Sequence, residues 1–286
     1  MAAETDLLLA GVDGAAGYMD LYRRWEEQNW RATGIDFTQD RVDWEAQSPE
    51  QRTYFRWALT QFFQGEESVT ISLAPFIDAA PDPEQRLFLT TQIADEARHA
   101  VLLQRFFAEV IELGAGGLGP SLEAIQPDLT PGFKTLFFDV LGGATGRLRD
   151  TPDDPLALVR AVTVYHLIVE GTVALAGQRH ILENLRERDY FPGLREGFVN
   201  VTRDESRHVG FGVLLLRDAV AADPAAAAVI AETVLEAIPA AVATLEPPGG
   251  DDRYYTSFGY TRESVAEWAL ASLGRRLHAI GVPLEL

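Results

Sequence analysis

The chain has 286 residues, 47% of them apolar and 23% charged, a balance that fits a globular protein and excludes disorder or low complexity as its main description. Acids outnumber bases 43 to 24, for a formal net charge of −19, so the surface repels phosphate backbones and anionic lipid and argues against nucleic-acid binding. Cysteine is absent, which removes disulfides, thiolate metal sites and cysteine nucleophiles.

Along the chain, the opening MAAETDLLLAG carries early acids and no basic region, and its apolar run is too short for a signal peptide. A first helix is expected within 17–31. One device then recurs: Ser48-Pro49, Asp82-Pro83, Thr130-Pro131, Asp154-Pro155 and Asp223-Pro224 each set a capping side chain before a proline. The cap accepts a hydrogen bond from an orphan N–H, and proline at the first helical position has no N–H to lose. Gln51 and Gln85, three residues past their caps, complete capping boxes. These starts and the periodicity after them predict helices over 49–78, 83–113, 131–147, 155–188 and 224–245, with others over 194–221 and 261–281. The glycine- and proline-rich stretches 114–131 and 246–260 read as loops. No alternating strand pattern stands out. The fold class is all-α, a long bundle treated as one domain over 1–286. The most apolar windows, 156–177 and 224–245, are interrupted by Arg160, His166 and Glu170 and by Glu232 and Glu236. No membrane span is expected, and the chain reads as cytoplasmic.

Two segments repeat each other: Asp95-Glu-Ala-Arg-His99 and Asp204-Glu-Ser-Arg-His208. Their separation is too long for a solenoid unit and suits two helix pairs of one bundle. Glu96 and His99, like Glu205 and His208, are three apart and share a helical face. A dinuclear carboxylate bundle needs one more glutamate from each remaining helix. The 49–78 helix offers Glu66 and Glu67; the 155–188 helix offers Glu170, with Glu183 and Glu187 near its far end. Depth favours Glu66 and Glu170, which lie mid-helix at the level of Glu96 and Glu205 to within about 9 Å at ~1.5 Å per residue. The apolar runs LTQFFQG before Glu66 and VYHLIVEGTVALAG around Glu170 imply burial. Four buried carboxylates repel one another unless cations neutralise them. The expected metal ligands are therefore Glu66, Glu96, His99, Glu170, Glu205 and His208. Asp95 and Asp204 are each expected to orient the histidine of the opposite helix pair, with Arg98 and Arg207 as their partners. Oxygen and nitrogen donors of this kind suit iron and manganese, and such a site binds and reduces O2.

This layout resembles the ferritin-like superfamily, with its four-helix core and additional helices. The stretches IDFTQDRVDWE (35–45), QGEESVT (64–70), VYHLIVEG (164–171) and RDESRHVGFG (203–212) are similar to the ligand-binding oxidases homologous to the ribonucleotide reductase small subunit. The resemblance covers roughly residues 30–215. It implies a mixed cofactor, manganese on Glu66, Glu96 and His99 and iron on Glu170, Glu205 and His208, with Glu96 bridging. It also implies a bound long-chain fatty acid, a homodimer, and a tyrosine–valine ether cross-link whose matching residues are Val69 and Tyr165. Val69, three after Glu66, has good helical geometry. Tyr165, five before Glu170, would not share its face in an ideal helix. His166 departs from the pattern; four residues before Glu170, it reads as a group supporting a ligand or a hydrogen-bonded core histidine.

Other readings stay open on the same scaffold. One is a ribonucleotide reductase small subunit without the radical tyrosine, since Leu103 stands four residues after the first motif histidine. Others are a di-iron N-oxygenase or hydroxylase of a small organic substrate, a ferritin-like metal-storage protein, and a lipid-binding protein with structural metals. Two irons in place of manganese and iron are equally compatible with the donors.

Overall fold

The computed structural model describes residues 17–114 and 116–284. All five Xaa-Pro caps act as expected. Gln51 N–H donates to Ser48 Oγ (3.2 Å), Glu84 N–H to Asp82 Oδ1 (2.8 Å), Phe133 N–H to Thr130 Oγ1 (3.2 Å), Leu156 N–H to Asp154 Oδ1 (2.9 Å) and Ala225 N–H to Asp223 Oδ1 (2.9 Å). Both capping boxes close.

The helices are α1 (Tyr18–Glu27), α2 (Thr38–Ala46), α3 (Pro49–Ser72), α4 (Ala74–Ala79), α5 (Pro83–Phe106), α6 (Leu118–Ile125), α7 (131–150), α8 (Pro155–Glu187), α9 (Pro192–Ala222), α10 (Ala225–Ala243), α11 (Arg253–Thr256) and α12 (Arg262–Ile280). No strand occurs among the described residues. The helix expected over 49–78 breaks at Leu73, because Pro75 removes an N–H and crowds the preceding turn. The expected loop 114–131 contains α6, whose Pro120 falls in the first turn, where no N–H is needed. The expected loop 246–260 holds the one-turn α11. Three helices carry π-helical stretches: Phe107–Ile111 after α5, Thr135–Leu141 within α7 and Thr163–Ala174 within α8.

Helix α9 starts at Pro192, two residues earlier than its periodicity suggests, because its cap comes from elsewhere in the chain. Asp40 on α2 accepts from Gly193 N–H (2.9 Å) and Leu194 N–H (2.7 Å), and Asp43 accepts from Phe191 N–H (2.6 Å). A carboxylate at a helix N-terminus satisfies orphan donors and complements the helix dipole.

Helices α3 and α5 pack as one pair, α8 and α9 as the other. The core holds two large apolar clusters stacked along the bundle. One contains Val69, Phe88, Tyr165 and Phe211; the other contains Phe55, Phe63, Leu102 and Phe198. On α3, α5 and α9 the candidate ligands fall where one cluster gives way to the other. Helices α10 and α12 cover the π-helical part of α8, and α1 crosses α5. By length and composition α8 and α10 are apolar enough to cross a membrane. For α8 the cause is its central place: 83% of its most apolar window is buried in the bundle.

Candidate metal centre

The bundle brings the six sequence-identified side chains into one buried layer. Glu66, Glu96, His99 and Glu205 offer donor atoms within 4.8 Å of one another, as do Glu96, Glu170, Glu205 and His208. The Nδ1 of His99 faces Glu66 Oε2 (3.3 Å), Glu96 Oε2 (3.5 Å) and Glu205 Oε1 (3.7 Å). The Nδ1 of His208 faces Glu96 Oε1 (3.1 Å), Glu170 Oε1 (3.5 Å) and Glu205 Oε2 (3.5 Å). Glu96 and Glu205 therefore each turn one oxygen to each histidine, so Glu205 spans the two halves as Glu96 does. Glu67 instead accepts from Gln64, Glu183 pairs with Arg179, and Glu187 is exposed.

Each histidine is held from behind by the other helix pair. His99 Nε2 meets Asp204 Oδ2 at 3.2 Å, and His208 Nε2 meets Asp95 Oδ2 at 3.1 Å. A proton on Nε2, donated to the aspartate, leaves the Nδ1 lone pair facing inward, the form a metal ion requires. Arg207 donates to Asp95 (3.0 Å) and Asp204 (2.6 Å), and Arg98 pairs with the same two aspartates. Sequence reasoning missed two further donors to them: Trp25 Nε1–H to Asp95 (2.9 Å) and Trp30 Nε1–H to Asp204 (2.7 Å). Nothing in the local pattern around Trp25 and Trp30 marks these tryptophans, because their partners lie on distant helices.

The electrostatics are those of a site short of positive charge. Burial pushes Glu66 well above its ordinary carboxylate range, and burial with the Glu205 charge pushes Glu170 up to about 8. Burial also raises Glu96, but His208 and His99 outweigh it and hold that carboxyl well below its usual range. Burial lowers the two histidines, yet the surrounding carboxylates win and raise both well above the ordinary imidazole value. Glu170 Oε2, Glu205 Oε2 and His208 Nδ1 are buried without a hydrogen-bond partner. Orphaned buried acceptors of this kind are costly, and together with the oxygen-rich donor set they fit a pair of cations.

The π-helical turn explains Tyr165. Its wider i→i+5 closure brings residues five apart toward one face, and the Tyr165 hydroxyl donates to Glu96 Oε1 at 2.9 Å. Gln92, also missed, sits four residues before Glu96 on the same helical face. Its amide N–H groups reach Glu170 Oε1 (2.9 Å) and Tyr165 Oη (3.3 Å), while its Oε1 meets His166 Nε2 (3.2 Å). His166 is fully buried and is in neither ligand group. It is neutral: burial, then the His208 charge, pushes it down to about 3.

A cavity of about 1170 Å3, its open mouth included, reaches this layer. Glu66, Glu96, Glu170 and Glu205 line its inner end, with Val69 beside them. The remaining wall is largely apolar and aromatic, including Phe62, Phe137, Ile181 and, from the 251–260 segment, Tyr254, Tyr255 and Phe258.

The sequence model of the family described as ribonucleotide reductase, small chain, matches residues 16–112. Among solved structures, the chain is similar to point variants of an R2-like ligand-binding oxidase. One, a tyrosine-to-phenylalanine variant with aerobically reconstituted Mn/Fe cofactor, is 26% identical over 93% of this chain and 94% of that one, with a TM-score of 0.80. A valine-to-isoleucine variant with anaerobically reconstituted Mn/Fe cofactor is 26% identical over 94% and 95%, with a TM-score of 0.81. An alanine-to-phenylalanine variant, likewise anaerobically reconstituted, is 25% identical over 95% and 96%, with a TM-score of 0.83.

Proposed function

We propose that this chain, a ferritin-like oxidoreductase homologous to the ribonucleotide reductase small subunit, holds one manganese and one iron and couples reduction of O2 to a two-electron oxidation beside them. Glu66, Glu96 and His99 would hold the manganese, and Glu170, Glu205 and His208 the iron. Glu96 and Glu205, each with one oxygen toward each histidine, would serve both. When bound, the pair of ions supplies electrons to O2. The chain's own residues do the rest. Asp95 and Asp204 keep the imidazoles in the ligating tautomer. The two apolar clusters exclude water from above and below the carboxylate layer.

The observation that carries this reading is the cavity: an apolar channel whose inner end is formed by the four glutamates. Such a channel suits a long apolar chain with an anionic head, and a long-chain fatty acid is the proposed ligand, its carboxylate toward the ions. The proposed oxidation joins Tyr165 to Val69 through an ether bond. The phenol loses its O–H hydrogen, the valine loses one C–H hydrogen, a C–O bond forms, and the two electrons and two protons pass to O2. Glu96, already accepting from the Tyr165 hydroxyl, stands where the phenolic proton leaves. Leu103, in place of a radical-storing tyrosine, favours this reading over a reductase subunit.

The test is to load metal-free protein with equal manganous and ferrous ion in air, desalt it, and measure both elements and the peptide masses. One of each ion per chain, with a Val69–Tyr165 peptide pair lighter by two hydrogens, is expected. Two irons and no manganese would overturn the mixed cofactor, and no retained metal would overturn the whole reading.

A further inference from the structure

We infer that His166 and Gln92 are positioning residues that fix the direction of the Tyr165 O–H bond. The inference rests on the reading above only in giving Tyr165 a chemical task; the orientation itself follows from the hydrogen-bond network.

Gln92 sits at the junction. Its amide has one acceptor and two donors. Facing the ligand layer, it meets Glu170 Oε1 at 2.9 Å and Tyr165 Oη at 3.3 Å. A ligating, ionised Glu170 can only accept, so the amide must turn its NH2 that way and its Oε1 toward His166. There its partner among the described residues is His166 Nε2, 3.2 Å away, which must then carry the proton. With one Gln92 N–H aimed at its oxygen, Tyr165 keeps its own hydrogen for Glu96 Oε1 at 2.9 Å. A His166 protonated on Nδ1 would invert the series. Nε2 would then accept from Gln92, the amide oxygen would face Glu170 and Tyr165, and the phenol would have a second acceptor competing with Glu96. The Val162 backbone also bears on the ring as a hydrogen-bond acceptor, while Nδ1 has no partner of full hydrogen-bond geometry, so the Nε2–H form rests on the Gln92 contact.

The fold is shaped around this imidazole. A Cβ on Gly212 would meet His166 Cβ at 2.2 Å, so α9 presents a glycine where the ring enters. Tyr165, Phe211 and Phe76 pack against the ring at centroid distances of 4.6, 5.4 and 5.9 Å. With the ring enclosed, its side-chain hydrogen-bond partner among the described residues is Gln92.

The experiment has two arms. In the first, 15N-histidine protein loaded with zinc alone, a diamagnetic ion that takes the same donors, is examined by two-bond 1H–15N correlation. The chain has five histidines, and a His166→Gln sample identifies the signal. His166 is expected as the Nε2–H tautomer; the Nδ1–H tautomer would overturn the inference. In the second arm, His166→Phe keeps the ring volume and removes the donor, while His166→Gln restores an N–H near the Nε2 position. After loading with manganese and iron in air, His166→Phe is expected to keep its metal content and lose most of the cross-linked product, and His166→Gln to recover it. Unchanged yield in His166→Phe would overturn the inference. If the unaltered protein forms no cross-link while His166 is Nε2–H, the proposed oxidation fails and the orientation stands.

Discussion

Titrating the metal-free protein with two equivalents of manganous ion at pH 7, in a weakly buffered indicator solution without O2, should acidify it. His99 and His208 sit well above the ordinary imidazole value, because the carboxylates around them outweigh burial; both carry a proton at pH 7. Glu170, at about 8, is mostly protonated as well, and burial raises Glu66 well above its ordinary range. Ligation requires neutral imidazole and ionised carboxylate, so loading the pair of ions displaces protons, with Glu170 and the two histidines as their source. Linkage fixes the sign. Each of these groups binds its proton more tightly in the metal-free fold, so release is fully present below its raised pKa and disappears as pH rises through it. The release should diminish as pH rises through about 8, where Glu170 becomes ionised. Glu96, held low by the two histidines, contributes nothing at neutral pH. As pH is lowered from 7 to 6, the combined affinity for both ions should drop by about a decade, ~1.36 kcal/mol, for each proton displaced. Release of one proton or fewer, with affinity independent of pH, would show that the cluster is ionised before metal arrives and would refute this account.

Two mutations probe parts of the fold that the titration does not. His99→Ala removes the imidazole from the Glu66 half alone, so elemental analysis should find one ion lost and the ion beside Glu170 and His208 kept; retention of both would contradict the assignment. Asp40→Ala strips the acceptors from the buried Gly193 and Leu194 N–H groups at the start of α9, and should cost about 2–5 kcal/mol in urea unfolding of the metal-free protein. A loss below ~1 kcal/mol would mean that α9 finds other capping.

Helix starts were legible because each is local: a Ser, Thr or Asp followed by proline is a complete capping unit within three residues. The α9 start was not, since its cap is Asp40, more than a hundred residues away. The ligand glutamates were legible by depth and apolar setting, which separated Glu66 and Glu170 from Glu67, Glu183 and Glu187. The aspartate-to-histidine crossing followed from the doubled motif. The tryptophans behind the aspartates and Gln92 above Glu96 did not follow, because each is defined by a partner on another helix. The Tyr165 register failed on ideal helical spacing for a physical reason: residues Thr163–Ala174 are π-helical, and no residue pattern announces a wider turn. The α6 turn was hidden by glycine and proline that serve its first turn rather than prevent it.

The doubled motif sits on unequal supports. Glu66 rises from a regular α-helical stretch, whereas Glu170 rises from a π-helical one whose Gly171 carbonyl is braced by Arg276 of α12. The two halves thus present the same kinds of donor from backbones of different pitch and bracing. Manganese and iron are almost indistinguishable by donor type. A preference of one half for one of them can then arise from how far each backbone yields toward the ion's favoured bond lengths. A pair of sites duplicated in sequence can in this way come to differ in selectivity without a single ligand having been exchanged.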